Sequence, residues 1–427
     1  MTTLAERLRG VISSGPANAG PDVSRSDDDA ERGGRLQPAH IDVVAETLGG
    51  EWRDEQGHRF LVVDRKYSAG YRHGRVAVMD SVPPWPQFPV LAAPTCTVPS
   101  SPRLLFLDLE TTGLAGGAGT YAFLVGVAWF DGVVFRTRQF FLSSYTAERA
   151  LLVAVAGTAD DVGAVVTFNG KSFDLPLIET RFVLHRMTTP FAALPHVDML
   201  HPARRLWRAD EDEAPSGGCR LTTLEEALCG HRREDDVPAF EIPSRYFHYV
   251  RTGDARPLAP VFEHNRLDLL ALALITAHAS QLLDEGAAAA RTAREAVGLG
   301  RLYERAGMSV QASACYLRGG ELPGDVATHA EALRGYAVLS RRARRYEEAA
   351  GAWRRALGLR RCPAAIAREA MEALAVHHEH RARNLPEARR FAMRSLQFNI
   401  TDSRQHAVQH RLARLDRKIG GLSATLF

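Results

Sequence analysis

The stretch LLFLDLETTG, residues 104–113, sets Asp108 and Glu110 one residue apart at the end of an apolar run. In an extended strand alternate side chains share a face, so both carboxylates project the same way while Leu109 turns into the core. Two like charges this close raise each other's pKa unless a cation lies between them. A hard divalent metal held by oxygen ligands is the chemistry that accommodates such a pair. Solvated acids are also common at strand ends, and the pair alone does not choose between these readings. FNGKSFDLP adds Asn169 at the end of a strand and Asp174 near the start of a helix, where an acid can equally be a simple cap. HNRLD puts His264 and Asp268 four residues apart, hence on one face of a helix, where a plain surface pair is the alternative.

The elements that must carry these residues read in a definite order. LLFLDLE, TYAFLVGVAWF and VVFRTRQFFL are β-rich runs separated by glycine-containing turns. TAERALLVAVA reads as a helix, GAVVTFN as a fourth strand and SFDLPLIETRFVLHR as a second helix. Shorter helices follow in MLHPARRLW and TTLEEALCG, and PVFEHNRLDLLALALITAHASQLL makes a long terminal helix. The DxE pair thus falls on the first strand, NxxxFD after the fourth, and HxxxD on the last helix. Asp198, in HVDML, reads as structural, capping the helix that begins near Met199. GLAGGAGT is not a phosphate-binding loop, because no GK[ST] follows it. In NGKS the nearest upstream glycine, Gly163, is two residues too early for the GxxxxGK spacing. Hydrolysis of nucleoside triphosphates is excluded on that ground.

With its motifs in this order, the sequence resembles the DEDD exonuclease superfamily. The first motif of that superfamily matches Asp108-Leu109-Glu110-Thr111, the second Asn169 and Asp174, and the third His264 and Asp268. Within it the chain most resembles the bacterial YprB-like ribonuclease H-like proteins, which join such a domain to C-terminal tetratricopeptide repeats. DLETTGLAGGAGTYAFLVG and HVDMLHPARRLW carry that closer likeness. The resemblance implies an α/β ribonuclease H-like fold, a mixed central sheet flanked by helices, followed by an all-α tetratricopeptide-like repeat domain. It implies metal-dependent 3′→5′ hydrolysis of phosphodiester bonds in nucleic acid, single-stranded DNA or RNA. Asp108, Glu110, Asp174 and Asp268 would hold two Mg²⁺ or Mn²⁺ ions about 3.5–4 Å apart. His264 would take the proton of the attacking water, while Thr111, Leu114 and Asn169 would bind the terminal nucleotide. In the histidine branch of the superfamily the base stands one position farther from the last aspartate than His264 does here. The four-residue spacing is that of the tyrosine branch. The alternative is a catalytically inactive ribonuclease H-like nucleic-acid-binding or tetratricopeptide scaffold protein.

The totals agree with a multidomain globular protein. At 427 residues, 45% hydrophobic and 24% charged, the chain exceeds one ordinary core. No uninterrupted apolar run reaches the roughly 20 residues of a membrane helix, so no membrane partner is expected. The first residues, MTTLAERLRG, lack the apolar core of a signal peptide. Five scattered cysteines with no CxxC pair argue against a disulfide framework or zinc knuckle and fit a cytoplasmic location. From residue 287 onward there are 25 Lys/Arg against 13 Asp/Glu, leaving 28 against 37 before it. An acidic front and a basic back suit a cation-requiring catalytic part and a second part drawn to anions. Arg341, Arg342, Arg344 and Arg345 beside Arg354, Arg355, Arg360 and Arg361 could meet phosphates or simply form a solvated basic face.

Four regions follow: 1–37 a disordered, low-complexity N-terminus, 38–99 a small β-containing preface, 100–285 the ribonuclease H-like domain, and 287–427 tetratricopeptide-like helical repeats. The repeats align on Ala312, Ala349 and Ala388, each followed four residues later by Tyr316, Trp353 or Ala392. Their spacings of 37 and 39 residues exceed the about 34 of the usual repeat. Three units can stack into a solenoid, whose concave face commonly takes a protein partner.

Overall fold

The computed structural model describes residues 38–82, 88–92, 103–113, 119–208, 219–398 and 402–424. The expected N-terminal tail, 1–37, and Leu114 lie outside them. The chain divides into Met1–Val43 and Val44–Phe427, and the elements that build the fold lie in the second unit.

That unit is organised on a seven-stranded sheet. Its strands are β1 (Glu51–Glu55), β2 (His58–Tyr67), β5 (Arg103–Thr111), β6 (Ala122–Asp131), β7 (Val134–Phe141), β8 (Val162–Thr167) and β9 (His196–Asp198), in the order β1-β2-β7-β6-β5-β8-β9. A separate two-stranded ribbon pairs β3 (Arg72–His73) with β4 (Val76–Ala77). β5, β6 and β7 form an antiparallel meander, and β6 and β7 are joined by a two-residue turn at Gly132, where the sequence places a glycine-containing turn. β8 and β9 then add parallel to β5 through helical crossovers. Residues 51–67, from the stretch read as a preface, supply β1 and β2 to this same sheet by antiparallel pairing of β2 with β7.

Helix α1 (Pro38–Leu48) precedes β1, α2 (Glu148–Ala156) leads into β8, α3 (Asp174–Leu184) follows it, and α4 (Leu200–Trp207) follows β9. α5 (Ile242–Thr252) and α6 (Ala259–Glu285) complete the domain. β6, with the sequence AFLVGVAW, is buried on both faces from Ala122 to Trp129 because helices cover it on either side. By length and composition the helical stretch Arg256–Ala288 is apolar enough to cross a membrane, with mean hydropathy 1.3 over its most apolar window. That corrects the expectation from uninterrupted runs alone. The window is 78% buried within the protein, as befits a core helix hydrophobic nearly all round.

Six further helices form three antiparallel hairpins: α7 (Ala293–Arg305) with α8 (Ser309–Gly319), α9 (Val326–Arg342) with α10 (Tyr346–Gly358), and α11 (Ala364–His380) with α12 (Leu385–Ser395). α13 (Asp402–Ala424) follows. The repeat residues Ala312, Ala349 and Ala388 sit buried near the start of the second helix of each hairpin, and Tyr316, Trp353 and Ala392 are buried one turn on. Small-then-large spacing therefore marks where the partner helix crosses closely. The hairpin turns repeat too: Gly307, Arg344 and Arg383 all take positive φ, at 77°, 60° and 52°. The array is seated on the first domain. α7 packs along α4, and a Cβ on Gly298 would meet the carbonyl oxygen of Arg205 at 2.3 Å. One hydrophobic cluster runs unbroken from Phe106 and Val166 through Leu206 to Leu299, Ala312 and Tyr316.

Candidate active site

The site lies where β5 ends against α6. Asp108, Glu110, Thr111, Asn169, Asp174, His264 and Asp268 line one open groove of about 350 Å³ with Phe168, Phe173, Ile242 and Pro243. Segments 160 residues apart in sequence thus bring together seven of the eight expected site residues. Leu114 lies outside the described residues.

Each acid is placed by a local device. β5 shifts register between Glu110 and Thr111, a bulge that ends regular pairing where the two carboxylates emerge. Asp108 is aimed by a row across three strands: Asp108 pairs with Gly126, and Gly126 with Gln139. Asn265 of α6 lies over that row, fully buried. It donates through Nδ2 to Asp108 Oδ2 at 2.7 Å and accepts at Oδ1 from Gln139 Nε2 at 2.9 Å. Gln139 also donates to the carbonyl of Phe262 at 2.8 Å. Gly126 is needed there because a Cβ would meet Asn265 Oδ1 at 2.2 Å.

The loop carrying Asn169 and Asp174 hangs on Asp198. Its carboxylate accepts from the backbone N–H groups of Asn169 at 2.7 Å, Lys171 at 3.1 Å and, at the start of α4, Leu200 at 3.1 Å. Asp198 is therefore a structural cap, as its position before α4 anticipates. Asn169 takes a left-handed φ of 68°. Gly170 lets the chain turn tightly: a Cβ there would meet Thr167 at 2.5 Å and Asp174 Oδ2 at 2.7 Å.

His264 and Asp268 share one face of α6, with Nε2 to Oδ2 at 3.6 Å. Two partners were not evident in the sequence. Asp236 binds His264 Nδ1 at 2.6 Å and so leaves Nε2 for the groove. Arg233, its side chain 4% exposed, donates to Asp268 at 2.5 Å and to Glu225 at 2.7 Å. Both lie in HRREDDV, a charge run that reads as solvated surface. Asn265 and Gln139 did carry a signal: each is a lone amide at an otherwise apolar position, and Gly126 interrupts an otherwise apolar strand.

The electrostatics fit a cation site. Burial and the neighbouring charges of Asp268, Glu110 and Asp174 hold the Asp108 carboxyl well above its ordinary range. Burial foremost, then Asp268 and Asp174, outweighs His264 and raises Glu110 to about 8. Burial and Asp198 raise Asp174 to about 7. For His264, burial pulls down, but the bond to Asp236 and the charges of Asp268 and Glu110 prevail and lift it to about 9. Buried carboxylates that resist ionisation together are relieved by hard divalent ions, and oxygen donors suit Mg²⁺ or Mn²⁺. The acids line the groove without closing on a point. Among the described residues, the trio whose ligand atoms all lie within 4.8 Å of one another is instead His73, Glu225 and His231.

Residues 105–280 match the model of the RNase_H superfamily. The uncharacterized protein YprB of Bacillus subtilis (strain 168) is 31% identical over 247 residues, 57% of this chain and 58% of the relative. The chain thus spans somewhat more than half the length of that curated relative. Among solved structures, a family B DNA polymerase from the hyperthermophilic archaeon Pyrobaculum calidifontis is 12% identical with a TM-score of 0.34, over 57% of this chain and 30% of that one. With its mixed sheet, its crossover helices and the superfamily model that matches it, the segment 105–280 has a ribonuclease H-like fold.

Proposed function

We propose that the protein is a divalent-metal-dependent nuclease that removes nucleotides from the 3′ end of single-stranded DNA or RNA. The observation that carries this reading is the meeting of Asp108, Glu110, Asp174 and Asp268, from β5, α3 and α6, in one groove. These four would hold two Mg²⁺ or Mn²⁺ ions, which when bound supply the positive charge that phosphodiester hydrolysis needs at the attacking and leaving oxygens. Asn265 and Gln139 fix Asp108, so its oxygen is aimed before any ligand arrives. His264, anchored by Asp236, presents Nε2 as a proton acceptor; with its proton held to about pH 9, it can serve as base only once the surrounding negative charge is reduced. Thr111, Asn169, Phe168 and Phe173 border the groove where a terminal nucleotide would lie, with Phe173 55% exposed and offering a face for a base to stack on.

A second reading, a catalytically silent nucleic-acid-binding domain on a helical scaffold, is favoured by one observation: Asp268 already has a cation, the Arg233 guanidinium, at 2.5 Å. One experiment separates the two. A single-stranded oligonucleotide labelled at its 5′ end is incubated with the full chain and Mn²⁺, beside Asp108→Ala. A ladder shortening from the 3′ end, absent with Asp108→Ala, is expected. An intact oligonucleotide retarded equally by both proteins would establish the silent reading, and equal degradation by both would place the chemistry elsewhere.

A further inference from the structure

On the far side of Arg233 from the groove, two imidazoles and a carboxylate converge. His73 comes from β3, Glu225 opens the wide, π-helical turn Glu225–Cys229, and His231 follows Gly230, whose φ is 66°. His73 Nε2 lies 2.6 Å from Glu225 Oε1, and the rings of His73 and His231 face each other at 4.1 Å, inclined by 33°. His73 and Glu225 are buried, at 2% and 0% exposure, and His231 is partly open.

The backbone enforces this meeting. The N–H of Arg75 donates to the carbonyl of Cys229 at 2.8 Å, and its guanidinium donates to the carbonyls of Ala227 at 2.7 Å and Leu228 at 3.1 Å. A Cβ on Gly74 would meet the Cys229 carbonyl oxygen at 2.3 Å, so the ribbon and the turn touch backbone to backbone. Wide helical turns of this kind concentrate at functional sites.

His73 and His231 each offer a ring nitrogen to the space they share with Glu225. Glu225 presents Oε1 to the pair while Oε2 accepts from Arg233 at 2.7 Å, the outer partner a ligating carboxylate ordinarily has. A tetrahedral ion at about 2.0–2.1 Å from each donor draws its ligands closer together than 4.8 Å.

We propose that His73, Glu225 and His231 form a binding site for one divalent transition-metal ion of the zinc type, distinct from the four-acid groove and independent of the nuclease reading. The ion would clamp the β3–β4 ribbon to the wide turn, with water at the fourth position on the side His231 leaves open. Through Glu225 it would also steady Arg233, which positions Asp268.

The test uses the full chain without an affinity tag, stripped with chelator, dialysed against limiting Zn²⁺ and analysed for bound metal. Co²⁺ is the parallel probe, because nitrogen-containing tetrahedral sites give far stronger visible bands than oxygen-only octahedral ones. About one equivalent of Zn²⁺ and the strong Co²⁺ bands are expected in the native chain and in Asp108→Asn. His231→Ala, on the partly open side, should weaken Zn²⁺ binding about 10–100-fold and abolish the bands. His377→Ala, in the unrelated HHEH stretch, should leave both unchanged. In the Asp108→Asn background Zn²⁺ should raise the melting temperature, and with His231→Ala added it should leave the melting temperature where it was. No retained Zn²⁺ in the native chain, or equal retention in His231→Ala, overturns the site.

Discussion

Glu110 offers the sharpest test of the groove, because its cost to the fold can be switched by pH. The side chain is 8% exposed, and its carboxyl is raised from the ordinary 4.5 to about 8. In the unfolded chain Glu110 ionises near its ordinary value, whereas in the fold it keeps its proton until far higher pH. Such a group burdens the fold once the pH would ionise it in the unfolded chain. Its contribution is neutral below the unfolded value, and the fold loses stability as pH rises from there towards the folded value. Each tenfold fall in proton concentration over that interval costs about 1.4 kcal/mol, or at most about 4 kcal/mol by pH 8, less to the extent that the neighbouring acids relieve one another. Glu110→Gln keeps the shape and removes the charge. In chelator, the variant should match the native chain near pH 5 and exceed it at pH 8 by about 2–4 kcal/mol, a melting-temperature gain of roughly 5 °C or more. Added Mn²⁺ should reverse the order, stabilising the native chain and not the variant. The assay is thermal unfolding of the full chain at pH 5, 6.5 and 8, with chelator and with Mn²⁺. A native chain whose stability does not fall between pH 5 and 8 in chelator, or a variant less stable than it at pH 8, would refute the reasoning.

Two further substitutions probe the supports. Gly126→Ala drives a methyl into Asn265 and breaks the bonds that aim Asp108; a loss of about 1–3 kcal/mol in urea unfolding, with reduced cleavage, is expected, and unchanged stability would show that the row across the strands does not hold the site. Asp236→Asn removes the charge that helps keep His264 protonated to about 9; the imidazole should then titrate at least about one pH unit lower, followed through the histidine ring protons by NMR, and an unmoved titration would assign that proton to Asp268 and Glu110 instead.

What could be read from the sequence, and what could not, follows from the range of the interactions involved. Strand alternation put Asp108 with Glu110 on one face and helical spacing put His264 with Asp268 on another, but Asp108, Glu110, Asp174 and Asp268 were legible as one set only through the family resemblance that the order of their motifs carries. Ala312, Ala349 and Ala388 were legible because close helix crossing demands a small residue at a regular interval. Asp236 and Arg233 were not, since a loop of mixed charge has no period to mark which residues turn inward. The joining of β1 and β2 to β7 was likewise hidden: pairing between segments some 75 residues apart leaves no local trace. His73 and Glu225, 152 residues apart, are the extreme case.

The seating of α7 on α4 through Gly298 has a consequence for any attempt to divide the molecule. A chain ending near residue 286 would strip the cover from Ala203 and Leu206, both buried beneath the array, and leave an oily ledge beside the loop that Asp198 anchors. The helical array is thus no towed cargo on a flexible leash. It keeps one fixed bearing to the domain that carries the groove, much as a jig is bolted to its bench.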